Sequence, residues 1–173
     1  ATLDPFDREA VQAAVAEFAP DWIVNTIAYT AVDKAEDEPD EAARVNRVLP
    51  GNLARICMEA GVRLVHYSTD FVFNGKKTSP YVETDPVDPQ SVSGATKLGG
   101  ERAILESGLE NHLILRTAWL FGPGKTNFVE KILGFARTRE VLKVVHDQIG
   151  SPTCTTDLAA GTVALIGAGK WGQ

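Results

Sequence analysis

The sequence predicts an α/β fold with a parallel sheet and helices on both faces. Three observations lead there. Amphipathic helical stretches alternate with short apolar runs along most of the chain. Most of the breaks between them are short and carry proline or glycine. The apolar runs are too short for helices and lack strict polar alternation, as expected for strands covered on both sides. Joined by right-handed crossovers, such elements form a doubly wound sheet.

Asp7 to Phe18 places Val11, Ala14, Val15 and Phe18 on one helical face, and Pro20 stops that helix before the buried run Trp22 to Ile27. Pro39 to Ala60 reads as a long helix, with Pro50 a kink or the entry to a tighter segment and Gly61 its terminator. Val62 to Tyr67 is the next strand. A loop from Asn74 to Pro89, rich in Gly, Pro, Asp and Thr, leads into a helix reaching about Ser107. His112 to Arg116 is a further strand and Asn127 to Arg139 a further helix. Near the end, Gly167-Ala168-Gly169-Lys170-Trp171-Gly172 fits the dinucleotide pattern G-x-G-x-x-G if Thr162 to Ile166 is a strand. No helix or suitably spaced acidic residue follows it, which favours instead a helix after Thr155-Thr156-Asp157 closed by Gly167.

With 173 residues, 44% hydrophobic and 23% charged, the chain can bury one core, and no apolar run approaches the roughly 20 residues of a membrane span. A net charge of −6 argues against a general nucleic-acid surface. Lys125, Arg137, Arg139 and Lys143 remain as local cations for a phosphorylated small molecule. Cys57 and Cys154 form neither a disulfide framework nor a metal-ligand spacing, and no signal peptide opens the sequence, so a reducing cytoplasm is expected.

The chemistry-bearing residues cluster in two places. Thr69 and Asp70 follow the Val62 to Tyr67 strand, at the rim where open α/β sheets place their sites. Ser93 and Lys97, four apart in a helical segment, project from one face. Each residue also has an ordinary reading: a threonine and aspartate after a strand bond to turn backbone, and a helical lysine is solvated.

The order and spacing of several segments extend this. They are Asn25, Ala28-Tyr29-Thr30-Ala31-Val32-Asp33, Asn46, Ser68-Thr69-Asp70-Phe71-Val72-Phe73, Pro80-Tyr81-Val82-Glu83-Thr84-Asp85, Pro89, Gly94 to Lys97, Gly100-Glu101, Arg116-Thr117-Ala118-Trp119, Asn127-Phe128-Val129 and Asp147 to Thr153. Together they resemble the dTDP-4-dehydrorhamnose reductase family of extended short-chain dehydrogenases and reductases, from Asp4 to Leu165. The resemblance implies a partial Rossmann-like, doubly wound domain over residues 1–120 and part of a smaller C-terminal substrate lobe over 121–173. It also implies a piece of a longer protein, because the family opens with a strand and a glycine-rich turn that hold the dinucleotide pyrophosphate.

The implied activity is NADPH- or NADH-dependent reduction of a dTDP-4-dehydro-sugar in rhamnose-donor synthesis. A homodimer and a magnesium ion are compatible with the resemblance, though no ligand cluster demands the metal. By the same resemblance, Thr69 hydrogen-bonds the sugar carbonyl and Asp70 binds substrate. Lys97 binds the nicotinamide ribose, and Asp4, Ala28, Tyr29 and Thr30 line the cofactor. Trp119, Asn127 and Gln148 contact the nucleotide-sugar; as ordinary structure, Trp119 would be core and Asn127 a helix cap. Ser93 departs from the family, which carries a tyrosine there as the proton donor. An aliphatic hydroxyl is a far weaker acid, so impaired turnover with recognition retained is expected. Two alternatives remain: a non-catalytic nucleotide-sugar-binding or regulatory relative, and a nucleotide-sugar epimerase or dehydratase.

Overall fold

The computed structural model of the chain describes residues 3–124 and 127–172, so Lys125 lies outside the described residues. It divides into two compact units, Ala1–Arg116 with Trp171–Gln173, and Thr117–Lys170. The change of unit falls a few residues before the expected boundary at 120, and the last residues rejoin the first unit through a parallel bridge between Gly172 and Leu113.

In the first unit, helix α1 (Arg8–Phe18) begins where the Asp7 carboxylate accepts the Ala10 N–H at 3.0 Å, and ends at Ala19 in the left-handed region. Strand β1 (Trp22–Asn25) stops before Ile27 because the Asn25 side chain accepts the Ile27 N–H at 3.0 Å and turns the chain. A short helix, α2 (Val32–Asp37), follows, which periodicity did not predict.

The long helix expected from Pro39 to Ala60 is divided into α3 (Pro39–Ala43), a π turn (Arg44–Val48) and α4 (Leu49–Ala60). Pro50 accounts for the break: it has no N–H for the Asn46 carbonyl four residues back. The sequence pointed to the right place, but the segment is wider than an α-helix rather than tighter. Gly61, at φ 67°, terminates α4 as predicted.

Strand β2 (Arg63–Thr69) runs two residues beyond the expected end and passes into a 3₁₀ turn, Asp70–Val72. Helix α5 (Val92–Leu105) starts at Ser91, whose hydroxyl accepts the Gly94 N–H at 3.1 Å. It ends short of Ser107, whose hydroxyl donates back to the Ile104 carbonyl. Strand β3 (His112–Thr117) completes a sheet of order β1-β2-β3, with β1 and β2 parallel and Asn25 opposite His66. Val11 and Val15 of α1, Leu49, Leu53 and Ile56 of α4, Leu64, Ile104 and Ile114 form one buried cluster. Each such aliphatic side chain contributes about 1.5–3 kcal/mol on removal from water.

Two glycines set how closely α5 approaches its neighbours. A Cβ at Gly94 would stand 2.3 Å from the Phe71 carbonyl oxygen, and one at Gly100 would stand 2.2 Å from the Asn46 carbonyl oxygen. Helix α5 is therefore in backbone contact with both the turn after β2 and the π turn.

The second unit holds a parallel pair, β4 (Leu120–Phe121) with β5 (Thr153–Cys154), and helices α6 (Phe128–Ala136) and α7 (Thr155–Gly167). Residues 162–166 are helical and Gly167 ends that helix, so the terminal G-x-G-x-x-G run is not a dinucleotide turn.

Candidate functional site

The alternation of β2 turns Leu64, His66 and Ser68 toward α4 and α5. Its last residues carry the rim that the sequence singled out. The Thr69 hydroxyl donates to Asp70 Oδ1 at 3.1 Å and accepts the Phe71 N–H at 3.2 Å, capping the 3₁₀ turn. Burial pushes the Asp70 carboxyl up, opposed by hydrogen bonds from Thr69 and from the N–H groups of Asp70 and Phe71. The turn-forming role considered for these residues is thus present.

Lys97 is not a solvated surface lysine. Its side chain is buried, and its ammonium donates to the Tyr67 carbonyl, two residues before Thr69. Desolvation lowers its pKa to about 8, with the Glu101 carboxylate acting in the opposite direction. Ser93 lies one turn earlier on α5; it too is buried, and its carbonyl accepts the Thr96 hydroxyl.

The burial of Lys97 has a cost. Its ammonium is charged in both folded and unfolded chains below pH 8, so the desolvation penalty is fully present there and disappears as pH rises from 8 to 10.5. The gap of about 2.5 units corresponds to roughly 3 kcal/mol. Lys97→Met is expected to raise stability at pH 7 by roughly 2 kcal/mol, after loss of the Tyr67 hydrogen bond, with the gain gone at pH 10.5. Urea unfolding at the two pH values measures this, and equal or lower stability of the variant at pH 7 would refute it.

The loop after β1 is held by Asn46, a buried residue of the π turn. Its side-chain oxygen accepts the Tyr29 N–H at 2.9 Å. Its amide donates to the Tyr29 carbonyl and to the Thr96 hydroxyl, both at 3.2 Å. The Tyr29 hydroxyl donates to Glu38 at 2.7 Å. Ala28, Tyr29 and Thr30 are thereby tied to the helix that carries Lys97. Asp4 shapes a local turn, its carboxylate accepting the Phe6 N–H at 2.9 Å.

Asn46, Ser68, Glu101 and Arg116 lie in the family-like segments, but the sequence pattern assigns them no role. Glu101 and Arg116 form a buried two-pronged ion pair, with contacts of 2.7 and 3.0 Å, and the Ser68 hydroxyl donates to the same carboxylate. The available signals were a glutamate one turn after Lys97 and an arginine closing an apolar strand.

Trp119, Asn127 and Gln148 belong to the second unit. Trp119 is half-buried, at φ 48°, edge-on to Phe128 with ring centroids 5.6 Å apart. Gly150 lies against its indole: a Cβ there would be 2.8 Å from Trp119 Nε1. Asn127 caps α6, accepting the Glu130 N–H at 3.1 Å, and its amide donates to the Gly122 carbonyl at 3.2 Å. Gln148 is exposed, as are Arg137, Lys143 and Arg139, the last over the Phe135 ring. Among the described residues, no group of three or more His, Cys, Asp or Glu side chains is placed to hold a metal ion, and no helix is long and apolar enough to cross a membrane.

The donor set at the end of β2 suits a hydroxylated ligand. Lys97 spends one N–H on Tyr67 and has others available by its chemistry, and Thr69 adds a hydroxyl two residues on.

Comparison with known proteins bears on this arrangement. A dTDP-4-dehydrorhamnose reductase of Streptomyces griseus is 47% identical over 163 residues, covering 94% of this chain and 54% of the relative. The chain thus spans about half the length of that curated relative. The crystal structure of a dTDP-4-dehydrorhamnose reductase from Clostridium acetobutylicum superposes with a TM-score of 0.93 at 41% identity, covering 98% of this chain and 60% of that one. The structure of the Bacillus anthracis dTDP-4-dehydrorhamnose reductase in complex with NADP gives the same TM-score and coverage at 38% identity. Both superpositions identify the fold as Rossmann-like. The family model of the RmlD substrate binding domain matches residues 1–172, and the chain belongs to that family.

Proposed function

We propose that this chain supplies the hydride-transfer site of a reductase that converts dTDP-4-dehydro-L-rhamnose to dTDP-L-rhamnose, with NADPH or NADH as donor. The observation that carries this reading is the convergence of Lys97 on the end of β2, next to Thr69 and Asp70. The named activity of the relatives and the NADP held by the Bacillus anthracis protein support it.

On this reading, residues 1–120 contribute the remainder of the dinucleotide domain and 121–173 part of the substrate lobe. When bound, the reduced nicotinamide supplies the hydride. Lys97 holds the ribose with N–H groups not used on Tyr67, and Asp4, Ala28, Tyr29 and Thr30 line the cofactor. Thr69 turns its hydroxyl from Asp70 to the C4 oxygen, and Asp70 then accepts from a sugar hydroxyl. Trp119, Asn127 and Gln148 contact the nucleotide-sugar.

Calorimetry tests the assignment. Saturable heats are expected with dTDP-L-rhamnose and with NADPH, with NADPH binding weakened at least tenfold in Lys97→Met. Equal heats with dTDP-L-rhamnose and ATP would end it. Ser93 favours one second reading, a nucleotide-sugar-binding relative without turnover, because a buried serine cannot deliver a proton as a phenol does. That protein would give the same heats and no NADPH oxidation.

A further inference from the structure

We propose that Arg116, Glu101 and Ser68 form a positioning network that fixes Lys97 against the end of β2 and ties the loop after β2 to the same anchor. This rests on the reading of Lys97 and Thr69 as the site.

Two side chains one turn apart dock α5 onto two consecutive residues of β2. The Lys97 ammonium donates to the Tyr67 carbonyl, and the Glu101 carboxylate accepts the Ser68 hydroxyl. Thr69 is the next residue, so the lysine and the candidate carbonyl-binding hydroxyl share a register set at Tyr67 and Ser68.

Glu101 is 1% exposed, and burying a charged group is costly unless it is paired and hydrogen-bonded. Arg116 provides the pairing, donating through Nε at 3.0 Å and Nη2 at 2.7 Å. The planar, two-pronged geometry fixes direction as well as charge, which a lysine does not reproduce.

The same guanidinium reaches a third element. Its Nη1 donates to the Glu83 carbonyl at 3.3 Å, and its carbon lies 5.0 Å from the centre of the Phe73 ring. Phe73 in turn stacks on Tyr81, with centroids 4.2 Å apart and planes 7° from parallel. The loop thus leaves the Thr69–Asp70 rim and returns to the residue that holds α5. The effect of these residues on the site passes through Lys97 and Thr69.

The test uses two side-chain reagents on the 173-residue chain. Acetic anhydride reports the access of Lys97, with exposed Lys76 and Lys131 as references. N-ethylmaleimide reports Cys57, which is buried in the α4 core and reacts only when that core opens. In Arg116→Lys and Ser68→Ala, acetylation of Lys97 is expected to accelerate at least tenfold while Cys57 alkylation stays within twofold. Ser68→Ala leaves the ion pair in place, so it remains informative if Arg116→Lys does not fold. Parallel acceleration of Lys97 and Cys57 would reduce the network to bulk stabilisation, and an unchanged Lys97 rate in Ser68→Ala would overturn the proposal. Neither reagent requires a nucleotide, so the outcome is separable from that of the calorimetry.

Discussion

Ser93→Tyr is expected to raise NADPH-dependent ketone reduction by roughly 10²–10⁴-fold, the usual contribution of general acid–base catalysis and roughly 3–5 kcal/mol of barrier. Hydride delivery to a carbonyl leaves charge on oxygen that a proton must quench. A phenol with an ordinary pKa near 10 is within reach of that task when an ammonium stands beside it, and an aliphatic alcohol is not. Lys97 provides the ammonium one turn from Ser93 on the same helix. Its own pKa of about 8 leaves it mostly charged at neutral pH, so it favours the phenolate. The measurement is NADPH oxidation by a chimera in which this chain replaces the matching segment of a curated relative, with serine or tyrosine at 93. The gain should fall on kcat, with KM for the sugar nucleotide little changed. Equal rates in the two chimeras would remove position 93 from the chemistry.

Acid is expected to destabilise the first unit through His66. Its ring lies in β2 opposite Asn25, whose Nδ2 approaches His66 Nδ1 at 3.0 Å. The Asn25 oxygen is committed to the Ile27 N–H, which orients the amide so that its NH₂ faces the ring. Nδ1 must therefore accept, the proton resides on Nε2, and Nε2 is buried without a hydrogen-bond partner among the described residues. Protonating Nδ1 would break the Asn25 bond and place a charge in the core near Lys97.

Burial first, and the Lys97 charge second, hold the His66 pKa down to about 3 against an ordinary 6.5. The sign follows from linkage: the unfolded chain takes up a proton below pH 6.5 that the folded chain refuses until about pH 3. Stability is complete above 6.5 and falls by about 1.4 kcal/mol per unit beneath it, roughly 5 kcal/mol by pH 3. A typical domain has only about 5–15 kcal/mol to lose. Urea midpoints from pH 7 to 4 should drop steeply for the wild type and much less for His66→Gln. Parallel curves for the two proteins would sink the assignment.

How much of this was legible in the sequence varied with the range of the forces involved. Asp7, Ser91 and Gly61 mark helix ends through interactions within three or four residues, so α1, α5 and the end of α4 were read closely. Pro50 revealed a break but not its kind, because the π turn also depends on Gly100, fifty positions away, resting against the carbonyl that the proline frees. The candidate rim was visible as Thr69, Asp70 and Lys97 because the first two close an apolar run and the third lies in a helical segment within the stretches that resemble the family. Glu101, Arg116 and Ser68 were not given roles, since a buried charge network is defined by partners on separate elements and has no periodicity. The short pair Leu120–Phe121 with Thr153–Cys154 is equally non-local and left no signal.

The irregular stretch at Arg44–Val48 has a consequence for how such a protein can vary. A π turn is in effect one surplus residue accommodated within a helix. Deleting a single residue there would bring α3 and α4 toward one helical register with the apolar stripe of α4 intact, while Pro50 would still leave a carbonyl without its N–H, at about 3 kcal/mol in a helix interior. It would also rotate Asn46 by about 100° away from Tyr29 and Thr96. The loop after β1 and the helix that carries Lys97 would then lose the side chain that ties them together. Chain length at this turn thus matters to that tie as much as the identity of Asn46 does.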